Sequence, residues 1–409
     1  MLRILALLCS VSLGLQSWAQ IAKHDTTDAI KRTDERFEAL PYYSYGKGVG
    51  MTSPDSIFQL NIRFRMQNRM EVAESDGDTY VSAGVRRLRL RLEGYVGHPK
   101  FMYILQLGFS PDDHRPLGET NGNLNIIRDA MVYYRPNSNW MLGFGQTKLP
   151  GNRQRVNSSG ALQLIDRSIN NGNFNLDRDF GAQIHYFNDF SGKFYYNIKT
   201  SVSTGEGRDR PDSKDKGLAY TARLELYPLG LFKKNGEYFE GDLQREPRPK
   251  LYLGGTYHFN HRSKRTYGQR GVDLFEMRDA ATVMLDGVLK YRGFAWMLAY
   301  MNRQVDNPLT YNADRTDISA AMSGYGYDAQ MSYLFKNNYE LIGRYSHFTP
   351  DDDVMDYFRQ NDQYTIGIAK YIWEHALKLQ AEFTWNNYFR QDKFLSDGAY
   401  IRFQVEIGI

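Results

Sequence analysis

The stretch Phe58-Gln59-Leu60-Asn61-Ile62-Arg63-Phe64-Arg65-Met66 alternates apolar and polar residues without a break, and this constrains the chain more than any other feature. Successive side chains of a strand point to opposite faces, so such a run builds a sheet with one apolar and one aqueous face. A helix cannot use that period. Sixteen such segments are predicted, near 58–72, 85–96, 101–109, 126–135, 139–147, 179–188, 192–203, 217–228, 249–261, 279–291, 293–305, 324–335, 338–349, 360–371, 376–388 and 399–409. The connections alternate between short and long. Gly97–Lys100, Pro136–Asn139, Asn188–Ser191, Arg292-Gly293, Lys336–Asn338 and Ile372–His375 are short, whereas 110–125, 148–178, 204–216, 262–278, 306–323, 350–359 and 389–398 are long. An even strand number with short periplasmic turns and long extracellular loops describes an antiparallel transmembrane β-barrel. The exception is 229–248, about twenty residues where a short turn belongs, so either that turn carries an insertion or the strand count slips there.

The beginning of the chain fits export. Met1-Leu2-Arg3, the apolar run Ile4–Leu15 and Ser17-Trp18-Ala19 have the three parts of a secretory signal peptide, predicted to be cleaved after Ala19. Residues 20–57 read as a polar periplasmic lead-in and 58–409 as the barrel domain. No later stretch reaches the roughly 18 apolar residues of a transmembrane helix. Cys9, the only cysteine, lies within the signal peptide, so neither disulfides nor thiolate metal sites are expected after cleavage. The formal charge of +4 is mild and dispersed, which gives no indication of nucleic-acid binding. The 30 Tyr and 23 Phe, many near segment ends, fit the aromatic girdles of a barrel in a Gram-negative outer membrane, with lipid as its outer partner.

A cylinder of sixteen strands leaves an aqueous channel. With apolar residues outward, the second segment sends Leu88, Leu90 and Leu92 to lipid and Arg87, Arg89, Arg91 and Glu93 inward. Arg63 and Arg65 join them from the first segment. Later strands balance Lys199, Arg223, Lys290, Arg303, Arg344, Lys378 and Arg402 against Glu225, Asp286, Asp328, Glu340, Glu382 and Glu406. The interior tally is therefore twelve basic against seven acidic residues, and its excess lies in the N-terminal wall. Such a ladder favours negative solutes if it faces them. Alternatively, the arginines pin an inward-folded loop through Asp166, Asp177 and Asp179. The long segment 148–178, with Lys148, Arg153, Arg155, Asp166, Arg167 and Arg178, is placed to be an inward constriction loop after the fifth strand, or else an external flap.

Several short stretches resemble, in order, the phosphate-selective porin O/P family of outer-membrane porins. They are Tyr45–Gly48, Arg86–Leu90, Asp129–Tyr133, Gly143–Pro150, Ser158-Ser159 with Ile165–Ser168, Arg178–Gly181 and Arg344–Ser346. The resemblance implies a sixteen-stranded porin, homotrimeric, with its pore narrowed by the loop after the fifth strand and small anions such as phosphate passing along arginines. Arg63, Arg65, Arg87, Arg89, Arg91, Lys148, Arg153, Arg155 and Arg344 are the expected pore-lining or anion-binding residues. Phosphate-specific members add a basic cluster from inward loops, for which this sequence offers Lys148, Arg153 and Arg155.

Other chemistries find little footing. Catalysis needs a nucleophile and base, or a carboxylate and histidine, gathered at one rim. His98 and His375 fall in periplasmic turns, His114 in an outer loop, and His185 and His258 in separate strands. Asp351-Asp352-Asp353 could offer hard oxygen ligands but reads as a solvated loop. Ser203–Gly207 resembles a phosphate cradle yet lacks the lysine and helix that mechanism requires. The expectation is a passive porin preferring anions or phosphate, without catalysis, cofactor or metal. The alternative is a plugged barrel acting as a scaffold or as the anchor of a surface complex.

Overall fold

The computed structural model describes residues 48–75, 77–114, 126–208, 217–390 and 393–409. The expected signal peptide and most of the lead-in lie outside these residues, as do 115–125 and 209–216 of two expected loops. A short strand, β1 (Val49–Thr52), precedes the wall. The wall opens with β2 (Phe58–Ser75), β3 (Asp78–Val96), β4 (Phe101–Gly108), β5 (Ile127–Tyr134) and β6 (Trp140–Lys148). It continues with β7 (Arg178–Phe190), β8 (Phe194–Ser203), β9 (Ala219–Tyr227), β10 (Lys250–Arg265), β11 (Asp273–Tyr291) and β12 (Phe294–Val305). A small hairpin follows, β13 (Leu309–Tyr311) with β14 (Ile318–Ala320). The last wall strands are β15 (Gly324–Leu334), β16 (Tyr339–Pro350), β17 (Gln360–Trp373), β18 (Leu377–Arg390) and β19 (Lys393–Gly408).

Each wall strand pairs antiparallel with the next, and β19 closes the ring on β2 from Gly398↔Ser75 to Gly408↔Arg65. Sixteen strands form the cylinder, as the alternation predicts. Because β19 stops at Arg65, the lower edge of β2 is free to take β1 through Val49↔Ile62 to Thr52↔Gln59. The expected lead-in thus contributes a strand at its end.

The register carries the inside–outside pattern. Ile62↔Leu92, Phe64↔Leu90 and Met66↔Leu88 face outward, while Arg63↔Arg91, Arg65↔Arg89 and Gln67↔Arg87 face inward. Aromatic residues gather at the periplasmic ends, where Phe101 stacks on Tyr134 with ring centroids 4.9 Å apart and Tyr333 meets Phe335 at 5.1 Å. The turn Arg292-Gly293 is as short as expected, with φ of 49° and 91°, the left-handed pair a two-residue hairpin needs.

Some boundaries differ from expectation. The segment between the first two strands is a tall hairpin with Ser75↔Asp78 at its tip, and β10 and β11 likewise extend to Arg265 and from Asp273. At 229–248 the count does not slip: β9 and β10 are neighbours through Leu253↔Leu226, so the turn carries an insertion.

Both long segments are folded inside the cylinder. Between β6 and β7, residues 149–177 are almost wholly buried. Leu149, Phe174 and Leu176 pack on inward-facing Met284, Met301 and Phe348, and Leu164 packs on Leu334, Ile342 and Tyr371. Each such side chain contributes about 1.5–3 kcal/mol of apolar burial. Lys378 donates to the carbonyls of Gly160 and Leu162 at 2.9 and 2.7 Å, and Arg303 donates to those of Asn173 and Phe174 at 3.2 and 3.1 Å. These bonds hold the segment against inward-facing residues of the wall.

Candidate functional site: an arginine-lined passage

Two rungs of the N-terminal wall set arginines directly opposite each other, Arg63↔Arg91 and Arg65↔Arg89. Like charges at opposed positions repel, so each rung needs compensation. Glu93 serves the lower one, at 2.7 Å from both Arg63 and Arg91. On the upper one Arg65 donates to the hydroxyls of Ser158 and Ser159 at 2.8 and 2.7 Å, with Glu406 more distant at 3.9 Å. Arg89 also donates to Ser159, at 3.0 Å, and grips Asp113 with two nitrogens at 2.9 and 2.5 Å.

Above these rungs two β-bulges bring in arginines that strict alternation would point outward. Gln67 pairs with Arg87 but Asn68 with Val85, which leaves Arg86 as the extra residue of β3. Gln106 pairs with Asp129 but Leu107 with Ile127, which leaves Arg128 as the extra residue of β5. A bulge re-aims a side chain in this way. Arg86 and Arg87 reach the same carboxylate, Asp166, at 3.1 and 2.8 Å, and Arg128 reaches Asp113 at 2.8 Å.

The result is a cavity of about 480 Å³ lined by ten arginines and three aspartates. Arg69, Arg86, Arg87, Arg89, Arg128 and Arg402 come from the wall, whereas Arg155, Arg167, Arg208 and Arg270 come from loops. Each aspartate is shared. Asp166 lies 2.8 Å from Arg69 and 3.8 Å from Arg402 besides its two bulge partners, and Asp177 pairs with Arg155 and, at 3.6 Å, with Arg178. Burial alone would raise these carboxyls, but the surrounding guanidiniums outweigh it and hold Asp166, Asp177 and Asp113 well below the usual carboxylate range.

The arginines remain undersupplied. Burial pushes Arg155 down to about 10 against the pull of Asp177, and Arg167 is pushed down by burial together with Arg155 and Arg87. A guanidinium does not release its proton in a protein, so this strain is a demand for negative charge. Arg128 Nε, Arg155 Nε and Arg208 Nη1 are buried donors without a hydrogen-bond partner among the described residues. Arg89 also lines two smaller, separate spaces below the cavity, one of about 60 Å³ with Arg63, Arg65, Arg91 and Ile409 and one of about 20 Å³ with Arg65 and Arg91.

Not every expected residue joins this passage. Lys148 is buried and donates to the carbonyls of Val156 and Asn157 at 2.8 and 3.0 Å, bracing the loop at the passage's edge. Arg153 points away, to the carbonyls of Glu237 and Phe239 at 2.5 and 3.2 Å. Arg344 donates to the Asp166 carbonyl at 3.0 Å and does not line the main cavity. Asp179, expected as an arginine partner, instead accepts from Thr204 Oγ1 and the Gly205 amide, both at 2.6 Å, and from Gln269 at 3.3 Å. That carboxylate ties down the loops that carry Arg208 and Arg270. His375 is buried against Phe239, ring centroids 4.9 Å apart.

A closed sixteen-stranded antiparallel barrel with a partly filled, charged lumen defines the class: the fold is that of an outer-membrane porin. Residues 58–230, which hold β2 to β9, match the family model of phosphate-selective porin O and P, the family that the sequence resembles. Among solved structures the chain is similar to the outer membrane channel DcaP of Acinetobacter baumannii, with 14% identity, 88% of this chain and 99% of that chain covered and a TM-score of 0.54. It is similar to an anion-selective porin from Comamonas acidovorans, with 12% identity, 86% and 100% coverage and a TM-score of 0.53. It is also similar to OmpT of Vibrio cholerae in a trimer form, with 12% identity, 86% and 99% coverage and a TM-score of 0.51. No curated protein sequence matches.

Proposed function

We propose that this porin passes small anions, phosphate among them, by passive diffusion along the arginine wall of β2 and β3. The observation that carries the reading is the cavity in which ten arginines face three aspartates that are already shared. Donors left without partners are what a passing anion satisfies. Loop residues Arg155, Arg167, Arg208 and Arg270 supply the basic cluster that the sequence alone offers only as Lys148, Arg153 and Arg155. The Comamonas acidovorans porin of similar fold is anion-selective, and the Vibrio cholerae protein forms a trimer. We infer a homotrimer here too, exported by the signal peptide 1–19.

The narrow spaces beneath the cavity favour one competitor, a plugged barrel serving as a scaffold or anchor. Planar-bilayer recording separates the two. The porin reading expects ohmic channels whose reversal potential in a salt gradient has the sign of anion preference; no conductance supports the scaffold, and cation preference removes the anion reading.

A further inference from the structure

We propose that the inserted periplasmic turn 228–249 is a selectivity element: docked in the lumen, it closes the side of the barrel remote from the arginines and leaves solutes only the arginine-lined route. This rests on the anion-channel reading, for which it supplies the reason that solutes cannot bypass the ladder.

The turn is held by contacts that have no role in joining two strands. Lys290 on β11 donates to three of its carbonyls, Gly236, Phe239 and Gly241, at 2.7, 2.9 and 2.6 Å. Its Asp242 accepts from the Gly293 amide at 2.7 Å, and its Arg245 donates to the Leu334 carbonyl at 2.9 Å. These anchors lie in the β11–β12 turn and at the periplasmic end of β15, so the segment reaches from β9 across to β15. At its tip, Glu240 meets the segment descending from the other face. The Glu240 amide donates to the Ala161 carbonyl at 3.2 Å, and its carboxylate accepts from Gln154 at 3.1 Å and from the Gln163 amide at 3.0 Å. Glu237, Phe239, Glu240, Asp242 and Glu246 are all buried.

The wall behind the turn differs from the arginine wall. Lys199 pairs with Glu225 at 2.7 Å, and Arg223 pairs with Glu225 and Asp286 at 3.0 and 2.7 Å. Cations and carboxylates there neutralise each other. A route opened on that side would add conductance with little preference for either sign, because selectivity follows the charge that lines the pore.

Two variants test this in planar bilayers. The first replaces Leu231–Pro247 with a short Gly/Ser turn; the second, Glu240→Ala with Lys290→Met, keeps the chain length but removes the docking contacts. Folding is checked by heat-modifiable migration, and if the shortened chain does not fold the second variant carries the test. Single-channel conductance is expected to rise about twofold or more and the reversal potential to move toward zero. Conductance and reversal potential equal to those of the unmodified protein in a folded variant overturn the proposal. The two readings fail separately: an unmodified protein without anion preference defeats the anion reading, while the conductance change still reports on the turn.

Discussion

At the residue scale, alternation is a reliable guide until a bulge shifts its phase. Leu88 to Glu93 sort inward and outward as their sequence says, and so do Lys199, Arg223 and Lys290. Arg86 and Arg128 do not, because each is the extra residue of a bulge, and nothing in the residue types near either one marks the place. Arg208 and Arg270 were also illegible, since their positions depend on Asp179 holding two distant loops together. The Ser203–Gly207 stretch is instructive in another way: its amides do cradle an anion, but that anion is the chain's own Asp179 carboxylate. The outward assignment has a direct consequence at Leu90, which pairs with Phe64 on the lipid face. Leu90→Arg is expected to cost about 2–4 kcal/mol if the side chain lies at the bilayer midplane. Urea unfolding in lipid vesicles measures it, and a cost near zero would mean that the register is inverted.

At the scale of elements, 148–178 falls where the rhythm of connections expects a long loop and 229–248 breaks that rhythm, but the destination of neither is legible in the sequence. Polar sequence in 148–178 favours an inward fold by its position but leaves an external flap open. What decides is a scatter of apolar residues, Leu149, Phe174 and Leu176 with partners Met284, Met301 and Phe348, and Leu164 with partners Leu334, Ile342 and Tyr371, all on strands far away in sequence. The inserted turn carries a group that makes its docking sensitive to pH. Burial, with Glu225 nearby, raises the Glu237 carboxyl to about 7 from an ordinary 4.5. A carboxyl raised in the folded state contributes stability that is fully present below its unfolded value and is lost as pH rises through the folded one. Above pH 7 the charged form therefore burdens the docked turn by up to about 3 kcal/mol. Glu237→Gln is expected to raise the midpoint of heat-modifiable unfolding at pH 8 and to change it far less at pH 5. Equal shifts at both values would show that Glu237 does not carry this charge burden.

At the scale of the molecule, the proposed docking of the inserted turn divides the lumen rather than simply narrowing it. Residues 149–177 from one face and the inserted turn from the other meet at Ala161 and Glu240, packed against strands whose charges are paired, while β2 and β3 keep an excess of arginine along open space. Asp166 pins the inward segment with several of those arginines, so in the proposed channel the side chains that brace the segment are also the ones that would attract anions. The barrel class, strand count and arginine wall could be read from local periodicity; the cavity could not, because it forms only where bulges, loops and a distant turn converge. Fixed charges act over a Debye length of about 8 Å at physiological salt, which suits a passage this close to its wall and makes the effect strongest in dilute salt. The most direct test replaces Arg63, Arg65, Arg87, Arg89 and Arg91 together with Gln and compares reversal potentials with the unmodified porin in a dilute salt gradient. A marked fall in anion over cation permeability, in a barrel that still folds and conducts, is the expected result; an unchanged reversal potential would show that the arginines serve only to brace the inward segment.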